Sequence, residues 1–404
     1  MRKKVVVFGV ILGIAFSSYW VGFSLGKERD AFYKELDIFA EGLAVIDKKY
    51  VEKAAPEDLI YGAMKGLLSS LDPYSQFLTP EEYKDLLVET EGQFGGLGIE
   101  ITIKDGFLTV VSPIEDTPAW EAGVKSGDII VKIDGELTKG ITLHKAVKKL
   151  RGEPNTKVTI TVLREKEREL KEIAIVRGRI KIKDIKNAGI LKDNIGYIKI
   201  AEFRETTSRD LGKALSEVKK ENLKGLILDV RNNPGGLLHS AIGVASRFLE
   251  TGKVVVSTKS RSEEESTYKS LPEVEKYLNI PIVVLMNKGS ASGSEILAAA
   301  LRENNRAILL GEATFGKSCV QTVVPLSDGS ALRITTSKYY TPLGKSIHEK
   351  GVEPDISVSK EEAEKKEDVF DQLEKPKEFD YEKDYQIVRA LDLIKGLLVL
   401  SSKE

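Results

Sequence analysis

The chain has 404 residues, too long for one compact core and sufficient for about two or three domains; with 41% hydrophobic and 30% charged residues it is globular rather than disordered. Its 61 Lys and Arg against 62 Asp and Glu leave a net charge of −1, which points away from nucleic acid or an acidic membrane surface as a general partner. Cys319 is the single cysteine, so no disulfide forms within the chain, and the compartment is left open.

Arg2, Lys3 and Lys4 precede an uncharged stretch from Val5 to Gly26. A stretch of about twenty mostly apolar residues spans a bilayer as a helix, and positive charge before it keeps that end inside. The run Val5–Phe16 alone also suffices for a cleaved signal peptide. Both readings predict export of the body, with residues 1–26 as signal peptide or inner-membrane anchor and the rest periplasmic or at the cell surface.

Residues 29–83 read as helical. Phe32, Leu36, Phe39, Leu43 and Ile46 recur at steps of three and four, and a second helix runs from Pro56 to Leu71, where Leu71-Asp72-Pro73 stops it. This region is a candidate packing or dimerisation arm. Residues 84–178 form a small β-rich domain, with strands at Phe107–Ser112, Asp128–Ile133 and Lys157–Leu163 between Gly and Asp turns and one helix at Leu143–Leu150. Residues 179–358 alternate strand and helix. The apolar runs Ile195–Ile200, Leu226–Val230, Val254–Ser257, Ile282–Met286 and Ala307–Gly311, with helices at 207–221, 237–249 and 293–303, predict a largely parallel, buried sheet with covering helices. Residues 359–404 combine a charged linker with a last amphipathic helix carrying Ile387, Val388, Leu391, Ile394 and Leu398 on one side. The fold class is therefore multi-domain α/β.

Two turns stand out. Leu226–Val230 runs into Arg231-Asn232-Asn233-Pro234-Gly235-Gly236, and Ile282–Met286 runs into Asn287-Lys288-Gly289-Ser290-Ala291-Ser292-Gly293-Ser294, each ahead of a helix. Parallel strands would bring both turns to one carboxyl edge, where open α/β sheets hold their chemistry. The Gly pair lets backbone N–H groups approach a substrate oxygen, and hydroxyls at a helix N-terminus sit where a developing anion is favoured. Ser292 with Glu295 equally spells a capping box, and Ser290 or Ser294 would also serve as caps. A nucleophilic serine needs a base. His144, His239 and His348 are the only histidines, and His239 or His348 would pair with a serine; a desolvated lysine does the same work, and Lys317 follows the run Ala307–Gly311. The segment Gly311–Ser318 also matches the phosphate-binding G-x-x-x-x-G-K-[ST] pattern. A β-branched run ending in Pro325 follows it where a P-loop opens a helix, so the match reads as coincidence.

Taken together, these motifs resemble the C-terminal processing peptidases, or tail-specific proteases, over nearly the whole chain. The resemblance lies in Leu71-Asp72-Pro73-Tyr74-Ser75, Gly96-Leu97-Gly98-Ile99, Ala122-Gly123-Val124-Lys125-Ser126-Gly127-Asp128, Asp229–Gly236, Gly289–Glu295, Tyr339-Tyr340-Thr341-Pro342-Leu343-Gly344 and Gly351-Val352-Glu353-Pro354-Asp355, in that order. It implies a crotonase-like α/β core, an embedded PDZ domain, and a serine endopeptidase acting on exported proteins near or from their C-termini. Ser292 falls on the nucleophile, Lys317 on the general base and Gln321 on its supporting polar residue. Gly293 stands where many members have alanine and would supply one oxyanion-hole N–H, with Gly235 or Gly236 supplying the other. Neither metal nor cofactor is implied. Gly96, Leu97, Gly98 and Ile99 would hold a substrate's terminal carboxylate and side chain, with Leu143 and Val147 on the facing helix, which predicts apolar C-termini as ligands. Arg151 is the position expected to couple tail recognition to catalysis. The alternatives are a catalytically silent PDZ adaptor on the same fold and a nucleotide-binding protein through 311–318; a homodimer through the N- and C-terminal helices is a further expectation.

Overall fold

The computed structural model describes residues 33–104, 106–164, 169–261, 265–359 and 380–401. The predicted membrane or signal segment lies outside them, and among the described residues no helix is long and apolar enough to cross a membrane. Two compact units divide the chain, Met1–Phe77 and Leu78–Glu404. In the first, residues 33–49 are helical and expose Leu36, Phe39 and Ile46. The second helix, Pro56–Ser69, starts on a proline with Glu57 and Asp58 in its first turn, where the helix dipole favours acid.

The second unit opens with a helix the apolar periodicity does not announce, Pro80–Glu91. Thr79 caps it reciprocally with Glu82, and Gly92 ends it in the left-handed region (φ 69°). The strand Gln93–Gly96 follows and pairs antiparallel with Gly178–Lys181, so the chain enters and leaves the β-rich module through one two-stranded root. The module's sheet runs, in order, Ile99–Lys104, Phe107–Pro113, Ile129–Ile133, Lys157–Arg164 and Glu169–Val176, around a core that includes Leu108, Val110, Ile130, Val158 and Ile160. Helix Leu143–Leu150, capped by Thr142, packs beside the outermost strand Ile99–Lys104.

One buried ion pair locks this module. Arg164 Nε donates to Asp128 Oδ1 (2.8 Å) and its Nη2 to Oδ2 (2.9 Å). Burial alone would raise the Asp128 carboxyl, but Arg164 and the Lys125 N–H hold it below the usual aspartate range. A depressed carboxylate contributes stability above its unfolded pKa and loses it as the pH falls through the folded one. Arg164→Met is expected to cost the module about 3–5 kcal/mol at neutral pH by leaving that carboxylate buried and unpaired. A pH series of thermal melts should show the deficit shrinking in acid.

The core holds a six-stranded sheet in the order Ile185–Ile190, Ile195–Ile200, Gly225–Asp229, Ile282–Met286, Ile308–Gly311, Ile356–Ser357. The first pair is antiparallel and the rest parallel. Helices Thr207–Lys220, Leu238–Ser246 and Gly293–Glu303 lie on one side, while Tyr385–Ser401 lays Ile387, Leu391 and Ile394 against the other. The apolar face of the last helix is thereby covered by the core. Arg231 pins its start, donating to Asp384 Oδ1 (3.0 Å) and Gln386 Oε1 (2.8 Å) while forking onto Asp229.

One expected strand belongs elsewhere. Val254–Ser260 is not in the parallel sheet; it pairs antiparallel with Ser266–Lys269 and with Ala331–Tyr340, which in turn pairs with Cys319–Pro325. An apolar run of this length fits either environment, and only its distant partners decide.

Candidate active site

Asp229, Met286 and Gly311 end three adjacent parallel strands, Asp229 opposite Leu285 and Met286 opposite Gly311, so the loops that follow them leave one edge of the sheet. The first two loops are stitched together by their own polar groups. Asn232 N–H donates to Asn287 Oδ1 (2.9 Å), Asn287 Nδ2 returns to Asn232 Oδ1 (3.0 Å), and Ala291 N–H donates to the Asn233 carbonyl (3.0 Å).

This stitching separates the three serines. Ser290 Oγ donates to the Val230 carbonyl (2.7 Å) and Ser294 Oγ to the Asn233 carbonyl (2.9 Å), both fully buried. Ser292 is half-buried and caps helix Gly293–Glu303 through its backbone. Its carbonyl takes the Glu295 N–H (2.9 Å) and its own N–H donates to Glu295 Oε2 (2.7 Å), the two residues forming a capping box. Ser292 also stands at φ 51°, ψ −109°, a conformation costing a non-glycine residue about 1–3 kcal/mol and typical of side chains held out for function. Of the three hydroxyls, those of Ser290 and Ser294 are tied to carbonyls across the gap and that of Ser292 is not.

Gly235 explains the close fit of the two turns. It sits at φ 104°, and a Cβ built on it would lie 2.7 Å from both the Ala291 oxygen and Ser292 Cβ. Its own N–H donates to Asn233 Oδ1 (2.8 Å). The N–H groups of Gly236 and Gly293 donate to no described residue, which leaves these two, of the three glycines the sequence suggests, able to receive an oxyanion.

The third loop brings Lys317. Its Nζ donates to Gln321 Oε1 (3.0 Å) on the strand Cys319–Pro325. Strand rather than helix follows Lys317-Ser318, so the segment 311–318 lacks the helix N-terminus that a P-loop needs. His239 is exposed on its helix, His144 is exposed on the module, and His348 Nε2 lies 3.8 Å from Glu349; none bonds to Ser292 among the described residues.

What holds serine and lysine together is a residue the sequence presents only as a capping glutamate. Glu295 is fully buried. Its Oε2 accepts from the Ser292 N–H (2.7 Å) and the Lys317 N–H (3.0 Å); its Oε1 accepts from Thr314 Oγ1 (2.6 Å) and the Gly316 N–H (2.7 Å). Because one oxygen bonds both amides, the backbone nitrogens of Ser292 and Lys317 cannot be further apart than those two distances joined end to end. Tyr339 supports the same junction, its hydroxyl donating to the Lys317 carbonyl. Burial pushes the Glu295 carboxyl up, against the pull of its four donors. Glu295→Gln is not a conservative change here. Either amide orientation sets an NH2 against an N–H donor, so at least one buried donor loses its acceptor, at about 1–3 kcal/mol each. A lower melting temperature together with a loss of turnover is expected, measured on the same preparation.

In the β-rich module, Ile99–Lys104 is bonded on one side only, leaving an edge beside helix Leu143–Leu150. Gly98 (φ 78°) presses so close to Thr117 that a Cβ would meet its side chain at 2.3 Å. Leu97 is buried in the module's core, Ile99 packs partly against it, Val147 is half-buried and Leu143 exposed. Gly96 ends the root strand, where it pairs with Gly178. Arg151 caps the end of the helix, its guanidinium 4.4 Å from the Phe94 ring and 3.8 Å from Asp85.

Comparison with known proteins follows the same division. The peptidase family S41 model matches residues 194–358, a PDZ domain model matches 109–164, and a model described as the activating protease CtpB N-terminal domain matches 24–82. A carboxy-terminal-processing protease of Bartonella bacilliformis is 41% identical over 364 residues, covering 89% of this chain and 83% of its own. The carboxy-terminal processing protease CtpB of Bacillus subtilis is 35% identical over 378 residues, 92% of this chain and 76% of its own. Among solved structures, one from Bacteroides fragilis assigned to the S41 proteases aligns with a TM-score of 0.53 at 18% identity, covering 88% of this chain and 96% of the other, a likeness of fold.

Proposed function

The chain belongs to the carboxy-terminal processing proteases of peptidase family S41, and from that premise we propose that it is a serine peptidase cutting exported proteins near their C-termini with Ser292 and Lys317 as its catalytic pair. The observation that carries this assignment is the shared Glu295 oxygen, which bonds the amides of both residues while the neighbouring serines are engaged in structure.

The chemistry proceeds in two halves. Lys317 in its uncharged form takes the Ser292 proton as the hydroxyl oxygen attacks the scissile carbonyl, and the Gly293 and Gly236 N–H groups receive the oxyanion. Collapse of the tetrahedral adduct breaks the C–N bond, and the Lys317 ammonium returns its proton to the leaving amine. Water then attacks the acyl-enzyme, giving a proton to Lys317, and the serine is released with that proton restored. Gln321 fixes the direction of the Lys317 amine through their hydrogen bond.

Substrate choice falls to the embedded PDZ domain. An extended C-terminal tail adds to the free edge of Ile99–Lys104, its carboxylate on the loop Gly96–Ile99 and its apolar side chains between Ile99 and the helix residues Leu143 and Val147. Arg151, standing where this helix meets the root, couples tail binding to the active site on this reading. Arg2, Lys3 and Lys4 before the uncharged Val5–Gly26 support export of the body. Mass mapping of products tests the proposal, using one unfolded substrate ending either in Ala-Leu-Val or in Asp-Asp-Asp. Faster cutting of the apolar-tailed form is expected, and equal rates would remove the tail-reading role.

A further inference from the structure

We propose that Arg204 is a positioning residue that ties the root of the PDZ domain to the oxyanion turn, so that the state of one is felt by the other. The inference rests on the Ser292–Lys317 assignment and on tail binding by the module. Three sets of bonds meet within a few residues. On the root side, Arg204 Nε donates to the Glu89 carbonyl (2.8 Å), at the end of the helix that leads into the module. The Ile182 N–H donates to the Gly92 carbonyl (2.8 Å), and a Cβ on Gly92 would touch Arg204 Cδ at 3.0 Å. In the middle, the Arg204 guanidinium forks onto Asp184 and Glu202 with its side chain only 11% exposed. Thr207 Oγ1 closes the knot by donating to Asp184 Oδ2 (2.6 Å) and accepting from the Arg204 N–H (2.8 Å).

On the catalytic side stands the next residue back. The Phe203 N–H donates to the Gly235 carbonyl (2.8 Å), and the Phe203 carbonyl accepts from the Leu237 N–H (2.6 Å), so Phe203 lies alongside Gly236 as one step of a parallel bridge. Its ring also floors the nucleophile's helix, where a Cβ on Gly293 would come within 3.0 Å of it. Both N–H groups that would hold the oxyanion therefore rest on Phe203, and the backbone of Phe203 is set by Arg204. A rotation of the module's root that pulls on Glu89 or Gly92 has a path two residues long to the oxyanion turn. The planar guanidinium can serve Glu89, Asp184 and Glu202 at once; a lysine ammonium has no such fixed fork.

The test uses the full chain, a short internally quenched peptide without an apolar tail as reporter, and a separate peptide ending in Ala-Leu-Val added in trans. Wild type is expected to change its kcat on the reporter by roughly fivefold or more when the tail peptide binds. Arg204→Gln and Arg204→Lys are expected to bind the tail peptide with unchanged Kd by fluorescence anisotropy but to lose that response. Should Arg204→Gln fail to fold, Glu202→Gln, which takes the charge from one arm of the fork at a side chain 31% exposed, is expected to weaken the response in the same direction. A response kept in Arg204→Gln, or in Glu202→Gln where only that variant folds, overturns the proposal. So does a wild-type enzyme indifferent to bound tail peptide, or a loss of response that merely follows a loss of tail binding. Failure of the underlying assignment is seen separately, as residual reporter cleavage by Ser292→Ala or as no tail binding by wild type.

Discussion

Ser292→Ala and Lys317→Ala are each expected to lower kcat by about 10⁴-fold or more, and the double variant is expected to lose no more than either alone. Members of a catalytic unit are strongly non-additive, because removing one leaves nothing for the other to act on. The serine stands at a strained helix mouth, not tied to the carbonyls that hold its neighbours, and the Lys317 amine donates to Gln321. On this assignment, removing the amine takes away the base for the serine proton, and removing the hydroxyl leaves the amine no nucleophile to activate. A loss of that size corresponds to about 5–6 kcal/mol of transition-state stabilisation. Lys317→Arg should fare no better than alanine, since a guanidinium stays protonated at any working pH. Single-turnover cleavage of one peptide by all four variants decides the matter, and additive losses would break the pair apart.

Gly235→Ala is expected to abolish activity as thoroughly, through geometry rather than chemistry. At φ 104° an alanine is strained by about 1–3 kcal/mol whatever surrounds it. Here the new methyl also meets the Ala291 oxygen and Ser292 Cβ at 2.7 Å and the Gly293 nitrogen at 2.8 Å, all parts of the turn that carries Ser292. Relief requires the two turns to separate, which displaces Ser292 and the Gly293 N–H proposed to receive the oxyanion. Losing one oxyanion donor costs about 10²–10³-fold, and displacing the serine adds to that. Gly252→Ala is the matched control, with the same kind of backbone penalty (φ 85°) and nothing within 4 Å. It should melt slightly lower and cut normally. Equal kcat for the two variants would show that close approach at Gly235 is immaterial.

Much of this architecture can be read from local pattern. Ile195–Ile200 and Ile282–Met286 are apolar runs bounded by turns, and helices Leu143–Leu150 and Gly293–Glu303 carry their own start signals, so their limits follow from the residues. Helix Pro80–Glu91 was legible too, in the Thr79–Glu82 box, but its weak apolar stripe hides it from periodicity. The pairing of Val254–Ser260 was not legible, since its partner Ala331–Tyr340 lies far along the chain. The same limit applies at the site. Ser290, Ser292 and Ser294 are alike as residues, and only the Val230 and Asn233 carbonyls across the gap show which hydroxyls are engaged. Glu295 announces one of its four bonds, to the Ser292 amide; the other three come from Thr314, Gly316 and Lys317 on another loop.

The order in which the sheet is assembled has a consequence for the newborn chain. Met286 and Gly311 stand side by side only after the crossing through helix Gly293–Glu303 has closed, and parallel pairings of that kind are slow to form. On the assignment above, a ribosome that has delivered Ser292 but not yet Ile308–Gly311 holds a polypeptide with a nucleophile and no base. The peptidase is therefore silent until Lys317 has been delivered and the strand Ile308–Gly311 has docked beside Ile282–Met286.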